Sequence, residues 1–401
     1  MNKKFLAIII TIFILITGIF FICKPKHQND EVIFWTLQMS DFAPYINEVI
    51  NDFEKENPDI KIKWVDVPFS EGEKRTLASV LSDNPPDLVN LNPDFSATLA
   101  HKGALQEIDN KNLEQFNEEI LKSLETDGKM FSIPWYATSA ITIYNKDLLL
   151  SAPKTYEQLV EIAPQIRKKG AFITLPNVSE NDTMPKILNK YNCTTSNLNT
   201  DKCLAVFEMF KNLYAKDLIP KETITITLQE SLEKYMSGNI ALINAGANFL
   251  NMIRENAPST YAKTDIAPQI KGDLRQNDFS LMNFVIPLRA KHKDEALKFA
   301  LFLTNNKNQL ELAKLTNVLA VNKTTLQDKF YTNYDKNDLM AKARVISAQQ
   351  LNHLRPTFKT QKNQKEINNL VNNAVQNILL NKDETEKILQ ELDKNIKQIE
   401  K

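Results

Sequence analysis

Glycine is scarce in this chain of 401 residues, which contains only eight, where average usage of about 7% would give three or four times as many. No two of these glycines lie within seven residues of each other. A P-loop needs closely spaced glycines so that backbone N–H groups can surround a phosphate, and a dinucleotide-binding fingerprint needs them so that the chain can approach a pyrophosphate. Both nucleotide-binding motifs are therefore excluded.

The usual patterns of hydrolytic and metal chemistry are also missing. No Gly-x-Ser-x-Gly nucleophile elbow occurs, and the histidines His27, His101, His292 and His353 are too scattered for a His-x-x-x-His zinc motif. We therefore expect no metal and no cofactor. Forty-nine basic residues balance forty-nine acidic ones, so the chain has no overall positive field and we expect no nucleic acid partner.

The overall composition is that of an ordinary globular protein, with 43% hydrophobic and 24% charged residues. This balance excludes disorder or a collagen-like repeat over the chain as a whole. The length is typical of two or three domain-sized units.

The longest apolar run covers residues 5–22 and follows Lys3 and Lys4. As a helix it would be roughly 27 Å long, near the lower limit for spanning a bilayer and longer than a usual signal-peptide core. The run predicts an export signal, and an uncleaved membrane helix is the favoured form. Two alternatives stay open: a degenerate lipoprotein signal with lipidation at Cys23, although Ile22 is too bulky for a lipobox, and cleavage elsewhere.

Export changes how the two remaining cysteines are interpreted, because thiols can pair in an oxidising compartment. Cys193 and Cys203 flank a polar stretch of nine residues. A disulfide between them would contribute about 3 kcal/mol on the chain-entropy model. We expect this disulfide, with two unrelated free thiols as the alternative.

Strand and helix patterns alternate in the first part of the chain after the N-terminal segment. A short apolar run at Val32–Leu37 predicts a buried strand, and the residues at 60–64 alternate with strand periodicity. Helical patterns separate these strands and precede a third strand at 87–91. This βαβαβ order predicts a parallel sheet with helices on its faces.

A second α/β unit begins after Pro134. Its first strand is predicted at 140–144, and Thr155 with Gln158 forms a capping-box pattern at the start of a helix. Further helices and strands follow, and two long amphipathic helices close the chain. We expect their apolar stripes to pack against the body of the protein.

Four segments, in order and suitably spaced, resemble a single protein family. They read VIFWTLQMSDFAPYINEVINDFEKENPDIKIKWVDVPFSEGEKRTLASVLSDNPPDLVNLN, IPWYATSAITIYNKDLLLSAPKTYEQL, GNIALINAGANFL and ALKFALFLTNNKNQLELAKLTNVLAVNK. From Val32 onward the chain resembles extracellular solute-binding proteins of the maltose/maltodextrin-binding class, which serve ABC importers.

The resemblance implies an α/β, two-lobed periplasmic-binding-protein fold of type II, behind the N-terminal membrane helix. It implies a signal or anchor with linker at 1–29, a first lobe at 30–135 plus 267–319, and a second lobe at 136–266 plus 320–401. A family member of this kind is a monomer that binds a solute and delivers it to a permease in the membrane. It is not an enzyme and needs no catalytic group.

The resemblance also implies that the chain crosses between the lobes near 134–137, 266–268 and 319–321. Ligand would lie in the cleft between the lobes. Rotation about the crossings would then close both lobes around the solute, because the closed state is stabilised by contacts from both sides.

The loops after predicted strands are where cleft residues are expected, because ligands of open α/β sheets bind beyond the carboxyl ends of the strands. These loops offer Gln38, then Asn92 and Asp94, then Asn244 and Asn248. Their amides and carboxylate could bind hydroxyl groups. For each asparagine the alternative is a turn or a helix cap.

Aromatic and further polar candidates lie close to the implied crossings. Trp135 and Tyr136 could stack on a sugar ring, with packing inside a lobe as the alternative for Trp135. The resemblance implies further polar contacts from Asn283 and Arg355. Trp35 and Trp64 lie within predicted strands and are interpreted as core residues.

One departure from the family pattern bears on specificity. The family usually has an Asn-Gly-Pro-Trp-like run where this chain has Asn244-Ala245-Gly246-Ala247-Asn248, so an aromatic platform is replaced by an amide. The sequence thus predicts a binding component for a sugar or oligosaccharide. The alternatives are a non-sugar solute, such as a polyol phosphate or a polyamine, and an exported carbohydrate-active enzyme.

Overall fold

The computed structural model describes residues 31–178, 182–274, 277–335, 337–351, 363–380 and 384–399. The predicted membrane helix at 5–22, Cys23 and Arg355 lie outside these residues. Within the described ranges, no helix is both long and apolar enough to cross a bilayer.

Eight strands occur in the described part of the chain: β1 (Val32–Leu37), β2 (Ile62–Val67), β3 (Leu88–Leu91), β4 (Ile133–Asn145), β5 (Leu242–Gly246), β6 (Thr264–Pro268), β7 (Phe279–Val285) and β8 (Leu319–Ala320).

The α-helices over the same ranges are α1 (Ala43–Glu56), α2 (Phe69–Val80), α3 (Pro93–His101), α4 (Glu118–Leu124), α5 (Tyr156–Lys168), α6 (Thr183–Asn189), α7 (Asp201–Ala215), α8 (Leu228–Met236), α9 (Phe249–Asn256), α10 (Pro258–Lys263), α11 (Lys293–Leu303), α12 (Asn306–Thr316), α13 (Lys329–Thr332), α14 (Leu339–Gln350), α15 (Gln364–Leu380) and α16 (Thr385–Ile399).

The first lobe is built on a sheet in the order β2-β1-β3-β7-β4. Strand β1 pairs in parallel with β2 and β3, as the βαβαβ pattern predicts, and β7 joins antiparallel to β3. Alternate residues of β1 are fully buried, and Phe34 packs edge-on against Phe284 and Phe299 with ring centroids 5.7 and 5.3 Å apart. Helix α1 adds Phe53, whose ring centroid is 4.9 Å from that of Phe299.

Strand β4 belongs to both lobes. Its residues 133–139 pair with β7, whereas residues 140–145 pair antiparallel with β5 and β6 in the sheet of the second lobe. The first crossing therefore lies between Ser139 and Ala140. Residues 134–137, where the crossing is expected from the sequence, lie inside the first-lobe sheet instead.

The other two crossings also come later than expected. Strand β6 ends at Pro268 and β7 begins at Phe279, so the connector 269–278 makes the second crossing. Strand β8 pairs with the first-lobe part of β4. The third crossing follows it, between Tyr331 in the first-lobe core and Ala343 in the second-lobe core.

The second lobe buries apolar side chains on both faces of its sheet. Helices α5, α6 and α7 cover one face, and α8, α9 and α14 cover the other. The closing helices α15 and α16 bury Ile367, Val371, Leu389 and Ile396 in the same core as α7. The prediction that these helices pack against the body of the protein is confirmed.

Local sequence signals explain how α5 begins. The side-chain oxygen of Thr155 accepts a hydrogen bond from the Gln158 N–H at 3.3 Å, which is the N-cap that the sequence predicts. The side chain of Gln158 departs from a complete capping box, because it accepts from the N–H of Lys154 at 2.8 Å. The cap is therefore one-sided.

A disulfide joins the loop after α6 to the first turn of α7. Cys193 and Cys203 are bonded in the structure, with their Cα atoms 5.7 Å apart, and both are buried. Inside the closed loop, Asn197 accepts a hydrogen bond from the Thr194 N–H at 2.7 Å. The polar segment between the cysteines thus has a defined turn.

Candidate functional site

Strand directions bring the expected cleft loops to facing positions. Strands β1 and β3 run parallel to β4, so their carboxyl ends point toward the second lobe. Strand β5 runs antiparallel to β4, and its last residue, Gly246, pairs with Ala140 at the crossing. Loops that follow β1, β3 and β5 therefore border the boundary between the lobes from opposite sides.

Gln38 is exposed immediately after β1. It adopts a left-handed backbone conformation with φ of 51°, and its N–H donates to the carbonyl of Val67 at 3.0 Å. The next two residues, Met39 and Ser40, donate their N–H groups to the carboxylate of Asp66 at 2.9 Å. The loop is thus fixed by its backbone while the Gln38 side chain stays exposed.

Asp66 organises this loop, and sequence reasoning did not single it out. The Thr36 hydroxyl donates to its carboxylate at 2.6 Å, and the indole N–H of Trp64 donates to the Thr36 oxygen at 2.7 Å. Thr36 and Asp66 are register partners on β1 and β2. A carboxylate near the carboxyl end of a strand is the signal that could have identified it.

The loop after β3 separates its two candidates. Asn92 caps α3, because its side-chain oxygen accepts from the Phe95 N–H at 2.8 Å. The alternative interpretation of this asparagine therefore fits the structure. Asp94 is exposed in the first turn of the same helix and remains a candidate cleft residue.

Asn283, for which the resemblance implies a polar contact with the ligand, is fully buried on β7 between strands β3 and β4. Its side-chain N–H donates to the Ser96 oxygen at 2.7 Å, and its own carbonyl accepts from the Asn90 side chain at 3.3 Å. Among the described residues, neither Asn90 nor Asn283 has a partner for its side-chain oxygen. The two buried asparagines thus stabilise the first-lobe sheet and do not face solvent.

Trp135 is also a core residue, so the expectation that it stacks on a ligand is corrected. Its ring is completely buried and stacks on Phe284 with centroids 4.6 Å apart. Because both faces of the indole lie in the first-lobe core, a sugar cannot reach them. The carbonyl of Trp135 accepts a hydrogen bond from the side chain of Gln309.

Tyr136 is the partly exposed member of this aromatic pair. Its ring meets that of Trp135 edge-on, with centroids 5.0 Å apart, and its backbone pairs with Met282 and Ala320. Burial raises the pKa of the Tyr136 hydroxyl to about 12. At neutral pH it is therefore a protonated hydroxyl that can donate as well as accept hydrogen bonds.

Asn244 and Asn248 are exposed at the carboxyl end of β5. The Thr142 hydroxyl on β4 donates to the side-chain oxygen of Asn244 at 3.1 Å, which fixes the orientation of that amide. Asn248 precedes α9 and makes no side-chain cap. A Cβ atom at Gly246 would lie 2.4 Å from the Asn248 side-chain oxygen, so a larger residue at this position would displace that side chain.

The exposed and partly exposed candidates supply hydrogen-bonding groups from both lobes. Gln38 and Asp94 come from the first lobe, Asn244 and Asn248 from the second, and Tyr136 from the strand that joins them. Amides, a carboxylate and a phenol are suited to a polyhydroxylated ligand. In the part of the chain that the structure describes, no group of three or more His, Cys, Asp or Glu residues could hold a metal ion.

Comparison with known proteins gives consistent matches over most of the chain. The family model of bacterial extracellular solute-binding proteins matches residues 48–339. A candidate binding protein of Brucella abortus is 23% identical over 372 residues, which cover 87% of this chain and 88% of the relative. The diacetylchitobiose binding protein DasA of Streptomyces coelicolor is 23% identical over 338 residues, covering 77% and 76%.

Similarity extends to solved structures. A crystal structure described as that of a candidate oligosaccharide periplasmic-binding protein from Synechococcus sp. MITs9220 superimposes with a TM-score of 0.83. The two chains are 26% identical, and the match covers 92% of this chain and 98% of that one. The two-lobed α/β architecture is therefore shared with this protein.

Proposed function

The chain belongs to the bacterial extracellular solute-binding protein family, and from this premise we propose that it is the extracytoplasmic substrate-binding component of an ABC importer for a sugar or oligosaccharide. The family resemblance predicted from the sequence is confirmed. The family itself supports an extracytoplasmic location. Solute identity, the importer and attachment to a membrane belong to the proposal.

One observation carries the proposal: polar loops from the two lobes meet beside the three segments in which the chain passes from one lobe to the other. Strands β1 and β3 aim Gln38 and Asp94 toward the second lobe, while β5 aims Asn244 and Asn248 toward the first. A solute held between such loops contacts both lobes only when they are closed. Ligand binding therefore shifts the population toward the closed arrangement.

Relatives support a carbohydrate as the solute class. DasA is named for binding diacetylchitobiose, and the Synechococcus protein is described as a candidate oligosaccharide periplasmic-binding protein. Asn248 replaces the aromatic platform expected from the family, so an amide offers little surface on which a sugar ring could stack at this position. We infer that hydrogen bonds to hydroxyls contribute most of the specificity there.

Binding proteins of this kind hold and release a solute without changing it, which is why we propose no enzymatic activity. The family match and the named relatives are binding proteins. The exposed cleft candidates include a single carboxylate, Asp94, whereas glycoside hydrolysis generally uses two. A polyol phosphate or a polyamine is the second solute class to test.

Thermal unfolding of the full chain with a panel of solutes tests the proposal. The panel contains diacetylchitobiose, maltodextrins, monosaccharides, glycerol phosphate and a polyamine. A ligand that binds only the folded protein raises the melting temperature, and a rise with one of the sugars is the expected result. A rise with the polyamine or phosphate alone would overturn the sugar assignment, and no rise with any solute would count against the function.

A variant of Asn248 then tests the cleft itself. Asn248→Ala should weaken binding of the stabilising sugar by about 1 kcal/mol, because one hydrogen bond to a hydroxyl is lost. Asn256→Ala, at the other end of α9, is the matched control and should leave affinity unchanged, since the Asn256 side chain donates to the Met252 carbonyl within its own helix. Equal affinity of both variants would remove Asn248 from the proposed site.

A further inference from the structure

Gln38 has a backbone conformation that glutamine rarely adopts. Its φ of 51° lies in the left-handed region, where a Cβ atom crowds the backbone. Asparagine and aspartate tolerate this region better than most residues. Over the described residues, the other non-glycine residues with positive φ all belong to these two types: Asp127, Asn192, Asp217 and Asn317. Glutamine lacks that tolerance, so the surrounding structure must hold Gln38 in place.

Backbone hydrogen bonds hold the chain at Gln38 and on its carboxyl side. The Gln38 N–H donates to the Val67 carbonyl at 3.0 Å. The Met39 N–H lies 2.9 Å from both carboxylate oxygens of Asp66, and the Ser40 N–H lies 2.9 Å from one of them. The Met39 side chain is buried in the first-lobe core. Residue 38 therefore cannot relax to an ordinary conformation without breaking contacts on either side.

The Asp66 carboxylate is itself fixed from below. The buried Thr36 hydroxyl donates to its Oδ1 atom at 2.6 Å and accepts from the Trp64 indole N–H at 2.7 Å, which sets the direction of the hydroxyl hydrogen. Oδ1 also accepts from Met39, and Oδ2 accepts from Met39 and Ser40. Both oxygens are thus used as acceptors, and a side-chain amide could replace only one of them.

Asp66 also caps the helical turn that follows the loop. Residues Ser40–Phe42 form a 3-10 turn that leads into α1, and Met39 at its N-cap position makes no side-chain cap. The first N–H groups of a helical segment have no partner within it, and a negative charge is favourable there. The carboxylate of Asp66, on β2, supplies both. The loop is therefore fixed at the strand and at the turn, and the Gln38 side chain between them is exposed.

We propose that Asp66 is a positioning residue for solute recognition: it holds Gln38 in the left-handed conformation and so keeps the Gln38 amide at the boundary between the lobes. Glycine would adopt this conformation at lower cost, so the glutamine is explained by what its side chain binds and not by stability. Its amide offers one acceptor oxygen and two donor hydrogens. The inference rests on the proposed function, because the partner of this amide is the solute in the cleft.

Affinity measurements on the full chain test whether Asp66 acts through Gln38. Diacetylchitobiose, maltotriose, glycerol phosphate and spermidine are the probes, and isothermal titration calorimetry gives the dissociation constant of each one that binds. Asp66→Asn should weaken binding about fivefold to tenfold, the order expected for one misplaced hydrogen bond. Gln38→Ala should weaken binding by a similar factor. When residue 38 is already alanine, adding Asp66→Asn should cause no further loss.

Melting temperatures without solute test the strain at position 38. Gln38→Ala keeps a Cβ atom in the left-handed region, whereas Gln38→Gly removes it, so the glycine variant should melt at a higher temperature than the alanine variant. Both variants lack the amide and should bind the probe equally weakly. A glycine variant that melts no higher than the alanine variant would show that position 38 is not strained, and would overturn the inference.

Asp87→Asn is the matched control, because Asp87 is a second carboxylate that holds backbone N–H groups beside β1. It accepts from the Ile33 N–H at 2.8 Å and from the N–H groups of Lys291 and His292 at 3.0 Å. These contacts lie near the amino end of β1, away from the lobe boundary. The control should lower the melting temperature and leave affinity unchanged, and a control that weakens binding as much as Asp66→Asn would overturn the inference.

Hydrogen exchange of the peptide 37–42, measured by mass spectrometry, follows the loop without any solute. Asp66→Asn should speed exchange there, because the carboxylate that two of its N–H groups contact is replaced. If this variant does not fold by circular dichroism, Thr36→Val, which removes the hydroxyl that donates to the carboxylate, takes its place in every measurement.

The outcomes separate the inference from the proposed function. Failure of all four probes to bind wild type would reject the proposed function, and the exchange rate would then decide whether Asp66 holds the loop. Unchanged exchange in the folded variant would overturn the inference. Wild-type affinity in that variant would also overturn it, as would a further loss of affinity when Asp66→Asn is added to Gln38→Ala.

Discussion

Trp135 and Tyr136 are neighbours in sequence with opposite surroundings, and this contrast sets a prediction at the scale of single residues. Trp135→Ala should lower the free energy of unfolding by about 3 to 5 kcal/mol, because it leaves a cavity beside Phe284 in the first-lobe core. Urea denaturation of the full chain measures the change. A loss below about 1 kcal/mol would show that the indole does not contribute to this core.

The same variant separates stability from binding. At low urea, where Trp135→Ala remains folded, a stabilising sugar should bind with nearly wild-type affinity, because the ring has no face open to the cleft. Tyr136→Phe is the comparison, since it removes only the hydroxyl of the partly exposed neighbour. A larger loss of affinity for the tryptophan variant than for the tyrosine variant would restore Trp135 to the site.

Single residues show where sequence reasoning reaches its limit. The pattern after β3 identified a polar position correctly, but only the structure shows that Asn92 is a cap and that Asn283 is buried. Asp66 was missed because it acts through hydrogen bonds to β1 and the loop that follows it. Its partner Thr36 is thirty residues away along the chain. Burial and partner choice follow from tertiary contacts, which periodicity does not encode.

At the scale of elements, the disulfide between α6 and α7 gives a prediction. Replacing both Cys193 and Cys203 by Ser should lower the free energy of unfolding by about 3 kcal/mol, since the bond closes a loop with a sequence separation of 10. The melting temperature of wild type with and without a reducing agent is the measurement, and the double variant should be insensitive to the reductant. An identical melting temperature for reduced and oxidised wild type would contradict the prediction.

Strand β4 explains why the elements were predicted better than the lobe crossings. The apolar patterns located β1, β3 and both closing helices, because β1 and the two helices each bury one clear face and β3 is buried along its whole length. The thirteen residues of β4 continue through the boundary without a break in strand structure, and only the pairing partner changes after Ser139. A change of partner leaves no mark in a single sequence.

At the scale of the whole molecule, few segments of the chain connect the two lobes. Over the described residues, the chain crosses between the lobes within β4, through the connector 269–278 and between Tyr331 and Ala343. Because so few segments join the lobes beside the proposed cleft, a few hydrogen bonds from each lobe to the ligand can decide between open and closed arrangements. This coupling is a property of the folded chain and not of any one motif.

The last prediction concerns attachment of the whole molecule to a membrane. The apolar run at residues 5–22 is long enough to stay in a bilayer, and Ile22 places a bulky β-branched residue where lipoprotein processing needs a small one. We therefore expect the N-terminal helix to be retained uncleaved, which would keep the lobes near a permease and raise their effective concentration there. Mass spectrometry of the N-terminal peptide should find an intact segment that contains Lys3, whereas a chain that begins at a diacylated Cys23 would replace the uncleaved anchor with a lipid anchor.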